Sequence, residues 1–128
     1  MNILYVALGS AAGGVCRYLI SLLLNASAGF PWGTLLVNIL GAFAIGLVTG
    51  LLAQGAGAPH ADAIRAFAIA GFCGGFTTFS TFSNETFRLI QAGQWGGTLV
   101  YVLVSLLGGL LAVWGGSVLA AQMEGMGK

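Results

Sequence analysis

Residues 71–85, GFCGGFTTFSTFSNE, place a run of hydroxyl and phenyl side chains in the middle of an apolar segment. The adjacent glycines Gly74 and Gly75 and the β-branched Thr77 and Thr78 lower helix propensity where a membrane-spanning helix is usually uniform. Lipid cannot satisfy free backbone N–H and C=O groups, so irregular backbone at that depth occurs inside protein, beside a water-filled cavity or around an ion. The stretch therefore predicts a broken helix at a functional site.

Polar side chains also recur four residues apart in two other apolar segments. Thr34 and Asn38 share one helical face, and Tyr101 and Ser105 share another that continues to Gly109. Donors aligned in this way suit an anion. They can equally hold helices together, because an interhelical hydrogen bond contributes about 1 kcal/mol and serine can bond back to its own helix. Both interpretations stay open on the sequence.

Three of the charged residues within the apolar segments, Arg17, Glu85 and Arg88, could have a role in a pore or in packing. Glu85 and Arg88 are three residues apart and can form an ion pair on one helical face, which the cost of a charge in lipid favours. Arg17 either supplies positive potential at a pore entrance or extends to the lipid headgroups. Each of the three is therefore a candidate for function and for structure.

Phe76, Phe79 and Phe82 recur every three residues, a spacing that is typical of core packing on a helix. The edge of a phenyl ring is electropositive, so rings set edge-on to a path would favour a small anion without binding it tightly.

These residues sit in a chain that is too apolar for a soluble protein. Of its 128 residues, 58% are hydrophobic and 5% are charged, and the mean hydropathy is +0.97. Because a membrane span needs about 20 apolar residues, we predict an all-α integral membrane protein with one domain, 1–128. The expected spans are residues 3–24, 33–53, 63–91 and 97–121, the third broken near 74–80. The first apolar run is too long for the core of a signal peptide and is expected in the mature protein.

Several functional classes are disfavoured. A net charge of +1 leaves no basic patch for nucleic acid. Cys16 and Cys73 lack metal-ligand spacing. The chain has one histidine, His60 in a loop, and no nucleophile-and-base pairing, so we do not expect an enzyme.

The positive charges are balanced between the two faces of the predicted bundle. Arg65 and Lys128 lie on one face, and Arg17 and Arg88 lie on the other. Because positive charge sets orientation, this balance predicts insertion in both orientations and allows a dimer of oppositely oriented copies; a single orientation is the alternative. Glycines four apart, at Gly9 and Gly13 and at Gly46 and Gly50, predict close helix packing.

The motif GGFTTFSTFS in the third span, GTLLVN in the second and Arg17 late in the first resemble the Fluc (CrcB) family of fluoride channels over nearly the whole chain. The resemblance implies a dual-topology antiparallel homodimer in the bacterial inner membrane, with two pores that let cytoplasmic fluoride leave passively. The sequence shows no ATP-binding motif or cofactor site, so we expect no organic cofactor.

The resemblance also assigns roles to residues. It implies that Phe79 and Phe82 line the pores, that Asn38 faces them, and that Tyr101 and Ser105 begin a polar track in which Gly109 stands where some members have a hydroxyl. Thr34, Glu85 and Tyr101 would form a polar cluster near the path, and Arg17 would be a vestibule residue. Backbone carbonyls of Gly74 and Thr77 from both chains would hold a structural Na⁺ at the dimer centre.

Three other functions fit the sequence less well. A small four-span drug exporter shares this length, but such exporters use a glutamate in the first span and this first span has no acid. A structural assembly subunit would not need a broken helix rich in hydroxyls. A fluoride/proton antiporter would need a proton carrier, and the carboxylate within the spans is Glu85, close to Arg88.

Overall fold

The computed structural model describes residues 2–25, 29–55 and 58–126 of the chain. Within these ranges, four helical stretches are long and apolar enough to cross a membrane: α1 (Asn2–Asn25), α2 (Trp32–Gln54), the interrupted stretch Ala61–Gln91 and α6 (Trp95–Gly125). The protein is an all-helical, multi-pass membrane protein, as its composition predicted. Lys128, which entered the count of charges, lies outside the described residues.

The third stretch is built from several pieces. It begins with α3 (Ala61–Ile64), continues as a π-helix over Arg65–Cys73 and a short turn, α4 (Gly74–Phe76), and resumes as α5 (Phe79–Gln91). Between α4 and α5 the backbone is extended, with φ −83° and ψ 158° at Thr77 and φ −152° and ψ 119° at Thr78. The expectation of a broken third span is thus confirmed, whereas the π-helix, a rare conformation, was not predicted.

The helices pack as two pairs. α2 lies along α6, and α1 lies along the first half of the third stretch, residues 61–76. Glycines permit these contacts: a Cβ atom added at Gly13 would overlap the Phe72 carbonyl oxygen, and one added at Gly46 would overlap that of Val113. The glycine spacing therefore serves backbone-to-backbone packing, as expected for membrane helices.

The interior is small and the outer surface is apolar. Leu35, Leu89 and Tyr101 form a buried cluster, against which Phe30 and Phe82 pack. Large apolar side chains along α6, including Leu110 and Trp114, are exposed on the single chain. Such a surface requires lipid or another protein chain to cover it.

A tight turn connects α5 to α6. Gly93 has a φ of 70°, its N–H donates to the Ile90 carbonyl, and the Gln94 N–H donates to the Leu89 carbonyl. This arrangement is a Schellman motif, for which glycine is favoured because it adopts positive φ without steric cost. The turn brings Gln94 back beside the end of α5.

Candidate functional site

The broken backbone is held by the side chain of Asn38 on α2. The Asn38 Oδ1 accepts a hydrogen bond from the Thr78 N–H at 2.8 Å, and the Asn38 Nδ2 donates to the Thr78 carbonyl at 3.1 Å. One side-chain amide thus satisfies both backbone groups of a residue that has left the helix. The interpretation of Asn38 as an interhelical link is realised here, and its partner is backbone.

The end of the first half of the third stretch leaves carbonyls without helical donors. The Thr77 N–H and the Thr77 hydroxyl both donate to the Cys73 carbonyl, each at 2.9 Å. The Thr78 N–H, which a continuous helix would direct to the Gly74 carbonyl, donates to Asn38 instead. The Gly74 carbonyl is therefore freed from the regular helical ladder by the break itself.

Arg17 on α1 reaches the same region. Its Nε donates to the Gly75 carbonyl at 3.0 Å, and the side chain is partly buried. The guanidinium therefore compensates one of the carbonyls at the break, a contact that neither the pore-entrance nor the headgroup interpretation of Arg17 had included.

The restart of the helix sets the position of two phenylalanines. Thr78 caps α5, because its hydroxyl accepts a hydrogen bond from the Thr81 N–H at 3.2 Å. Phe79, the first residue of α5, is 79% exposed, and its ring centroid lies 5.9 Å from that of Phe82. Phe76 is buried and stacks on Phe72 at 5.5 Å. The idea of one stripe from Phe76 to Phe82 was wrong, because the extended residues interrupt the helical repeat.

An open cleft of about 370 Å³ lies beside the break, and we refer to it as the central cleft. Asn38, Thr78, Phe79, Phe82 and Ser105 line it together with apolar residues. The Ser105 hydroxyl oxygen is buried and has no hydrogen-bond partner within the described part of the chain. Ser105 therefore does not bond back to its own helix, and its hydroxyl is available to a ligand in the cleft.

Glu85 is the centre of a second polar group. The Thr34 hydroxyl donates to Glu85 Oε1 at 2.9 Å and the Tyr101 hydroxyl donates to Glu85 Oε2 at 2.7 Å. Thr34 is 1% exposed and Tyr101 is 0% exposed. The Phe82 ring, whose centroid is 5.1 Å from that of Tyr101, also lines the central cleft. Phe82 thus connects the Glu85 group to Ser105.

The predicted ion pair between Glu85 and Arg88 was wrong. Among the charged residues that the structure describes, the pair within ion-pair distance is Asp62 and Arg65, at 3.3 Å on the surface. The carboxylate of Glu85 turns towards hydroxyls on α2 and α6 instead, whereas Arg88 is exposed.

A second cleft, which we call the mouth cleft, lies at the ends of α1 and α5. Its volume is about 380 Å³, and Asn25, Phe30, Glu85, Arg88 and Gln94 are among its lining residues. Glu85 therefore stands between the mouth cleft and the Tyr101–Phe82 pair that borders the central cleft. The candidate pore residues Thr34, Asn38, Phe79, Phe82, Glu85, Tyr101 and Ser105 form one connected series between the two clefts.

Gly109, the next step of the predicted polar face of α6, does not extend the series. It has no side-chain donor, and apart from the backbone of its own helix and its chain neighbours, no atom of the described residues lies within 4 Å of the place where a Cβ would be.

Comparison with known proteins gives a consistent family match. Residues 4–117 match the family model described as CrcB-like protein, Camphor Resistance (CrcB). A protein of Flavobacterium psychrophilum is 41% identical over 125 residues, which are 95% of this chain and 98% of the relative. A protein of Paramagnetospirillum magneticum is 47% identical over 117 residues, 90% and 91% of the two chains. One of Thermus thermophilus is 45% identical over 124 residues, 95% and 97%. Each is named fluoride-specific ion channel FluC.

Loss of the Asn38 amide should destabilise the protein. Asn38→Ala leaves the Thr78 N–H and C=O without partners, and each unsatisfied buried group costs about 1–3 kcal/mol. We expect a melting temperature in detergent several degrees below that of the unaltered protein. Asn84→Ala, on the exposed face of α5, is the control; equal melting of the Asn38→Ala and Asn84→Ala proteins would contradict the assignment.

Proposed function

The chain belongs to the CrcB family, and on that premise we propose that it is a fluoride-selective ion channel through which cytoplasmic fluoride leaves the cell passively. The observation that carries the proposal is the 41–47% identity, over most of their length, to proteins named fluoride-specific ion channels. The chain is not an enzyme, since the relatives are named as channels.

Permeation requires that protein groups replace the water around the anion. In the central cleft, the unpartnered Ser105 hydroxyl supplies one donor. The Asn38 amide uses one N–H for Thr78 and has a second that can face the cleft. Phe79 and Phe82 contribute electropositive ring edges. This combination of a few donors with rings offers fluoride a path without a strongly binding site.

The Glu85 group would act at the next step of the path. Thr34 and Tyr101 donate their hydroxyl hydrogens to the carboxylate, which orients both donors towards Glu85. A fluoride ion arriving from the mouth cleft would compete with the carboxylate for these same donors. Arg17, bonded to the Gly75 carbonyl, would add positive charge near the break and serve as the vestibule residue.

Passive export would protect the cell because fluoride is the anion of a weak acid. The neutral acid crosses membranes from an acidic medium, dissociates in the less acidic cytoplasm and is trapped there as the anion. A channel in the bacterial inner membrane would let that anion leave down its electrochemical gradient.

We further propose that the working unit is a homodimer of oppositely oriented copies with two pores. Support comes from the balanced positive charges, and from the exposure of Phe79 and of much apolar surface on the single chain.

In a dimer of oppositely oriented copies, protease should remove a C-terminal tag from about half of the copies on each side of a sealed vesicle. Removal from one side alone would contradict the opposite orientation.

A structural Na⁺ at the dimer centre is the remaining part of the proposal. The residues fit a hard cation, which prefers oxygen ligands: the break frees the Gly74 carbonyl from its helical donor, and the extended Thr77 carbonyl follows the end of the helix. Residues 2–25, 29–55 and 58–126 hold no cluster of His, Cys, Asp or Glu that would offer a side-chain site. Gly74 and Thr77 of each copy would hold the ion through their carbonyls and so join the two chains.

Fluoride efflux from liposomes that contain the purified protein tests the channel. We expect rapid fluoride efflux without chloride efflux, followed with a fluoride electrode and a parallel chloride measurement. Phe79→Ile and Ser105→Ala should each lower the fluoride rate by roughly tenfold or more, which corresponds to about 1.4 kcal/mol in the barrier. Phe87→Ile on the same helix, where Phe87 is exposed and outside both clefts, is the matched control. Absence of fluoride efflux from folded protein would overturn the proposal.

Heat resistance in different salts tests the dimer and the cation together. Ion binding to the folded dimer stabilises it by about 2.7 kcal/mol at a hundred times the dissociation constant. We therefore expect chemical cross-linking to give dimers, and these to melt at a higher temperature in sodium than in N-methylglucamine. Dimers with the same melting temperature in both salts would contradict the cation, and monomers in both would contradict the dimer.

A further inference from the structure

The mouth cleft carries a negative charge that would repel fluoride as it enters the proposed channel. Glu85 lines it, and the two groups bonded to the carboxylate are neutral hydroxyls of Thr34 and Tyr101. These hydrogen bonds do not cancel the negative charge. An approaching fluoride ion would be repelled at the point where it leaves bulk water, because charges interact strongly beside low-dielectric walls.

Arg88 supplies a positive charge in the same cleft. Among the described residues that line the mouth cleft, it is the one basic side chain. It is exposed, and no carboxylate of the described residues lies within ion-pair distance of its guanidinium. Its charge is thus not neutralised by a neighbour and acts on the cleft.

The other arginines of the chain are occupied elsewhere. Arg65 pairs with Asp62, and Arg17 bonds to the Gly75 carbonyl at the break. Neither of them lines the mouth cleft. Among the described residues, Arg88 is therefore the source of positive side-chain charge at this opening.

We propose that Arg88 sets the rate at which fluoride reaches the pore from the mouth cleft, by offsetting the negative charge of Glu85. This inference rests on the proposed fluoride channel. Arg88 acts through its field, as a steering residue at the surface, and does not contribute to selection in the central cleft. Its effect must therefore follow the sign of the charge at position 88 and must fade as salt shortens the Debye length.

The test is the single-channel fluoride current in planar bilayers of phosphatidylcholine, at fixed fluoride, with ionic strength raised by sodium sulfate. At about 0.01 M, where the Debye length is about 30 Å, Arg88→Gln should lower the current by roughly two- to fivefold. Arg88→Glu should lower it further, and Arg88→Lys should retain the current of the unaltered channel. At about 1 M, where the Debye length is about 3 Å, the four proteins should agree. Arg65→Gln, which removes a charge outside the cleft, is the control and should change little.

Other results would overturn the inference. Equal losses in Arg88→Gln and Arg88→Lys at both ionic strengths would show a structural role. An effect seen in anionic lipid and not in phosphatidylcholine would show that Arg88 acts by holding a lipid headgroup. Fluoride current that is independent of charge at position 88 would overturn this inference alone, whereas absence of fluoride current in the unaltered protein would overturn the proposed function with it.

Discussion

The structure depends on the satisfaction of backbone polar groups that are freed at Thr77 and Thr78, at a depth where lipid cannot bond to them. Two side chains do this. Asn38 bonds to both backbone groups of Thr78, and Arg17 bonds to the Gly75 carbonyl. The Thr77 hydroxyl adds a second bond to the Cys73 carbonyl, which keeps its helical N–H donor. Because Asn38 lies on α2 and Arg17 on α1, the packing of the first two helices is tied to the conformation of the third.

The break in turn creates the features that a permeating anion would meet. Because the helix stops and restarts, Phe79 begins a new helical phase and reaches the surface of the single chain, while Phe76 stays in the interior. The restart also places the N-terminus of α5, the positive end of its dipole, beside the central cleft. Ser105 on α6 adds a hydroxyl that has no hydrogen-bond partner among the described residues. One local departure from helical geometry therefore positions the phenyl rings beside this donor and frees the Gly74 carbonyl.

Composition and motif predicted the architecture well, because apolar length determines membrane spans and because glycine and β-branched residues lower helix propensity in a definite place. The spacing of polar residues also put Thr34 and Asn38 on one helical face. Spacing could not show partners on other helices. The spacing suggested Arg88 as the ion-pair partner of Glu85, whereas in the structure Glu85 accepts hydrogen bonds from Thr34 and Tyr101. The spacing also predicted one helical repeat of phenylalanines across Thr77 and Thr78, although both residues are extended. It could not reveal that the Asn38 amide forms hydrogen bonds with the Thr78 backbone.

The most direct test of the central claim, selective and passive fluoride conduction, is the zero-current potential of a planar bilayer that holds the purified protein. A tenfold fluoride gradient with chloride and pH equal on both sides should give the fluoride equilibrium potential of about 59 mV. The value should remain unchanged when a chloride gradient or a pH gradient is added. A shift with chloride would contradict selectivity. A shift with pH would contradict passive conduction and would point to Glu85 as a proton carrier in a coupled transporter.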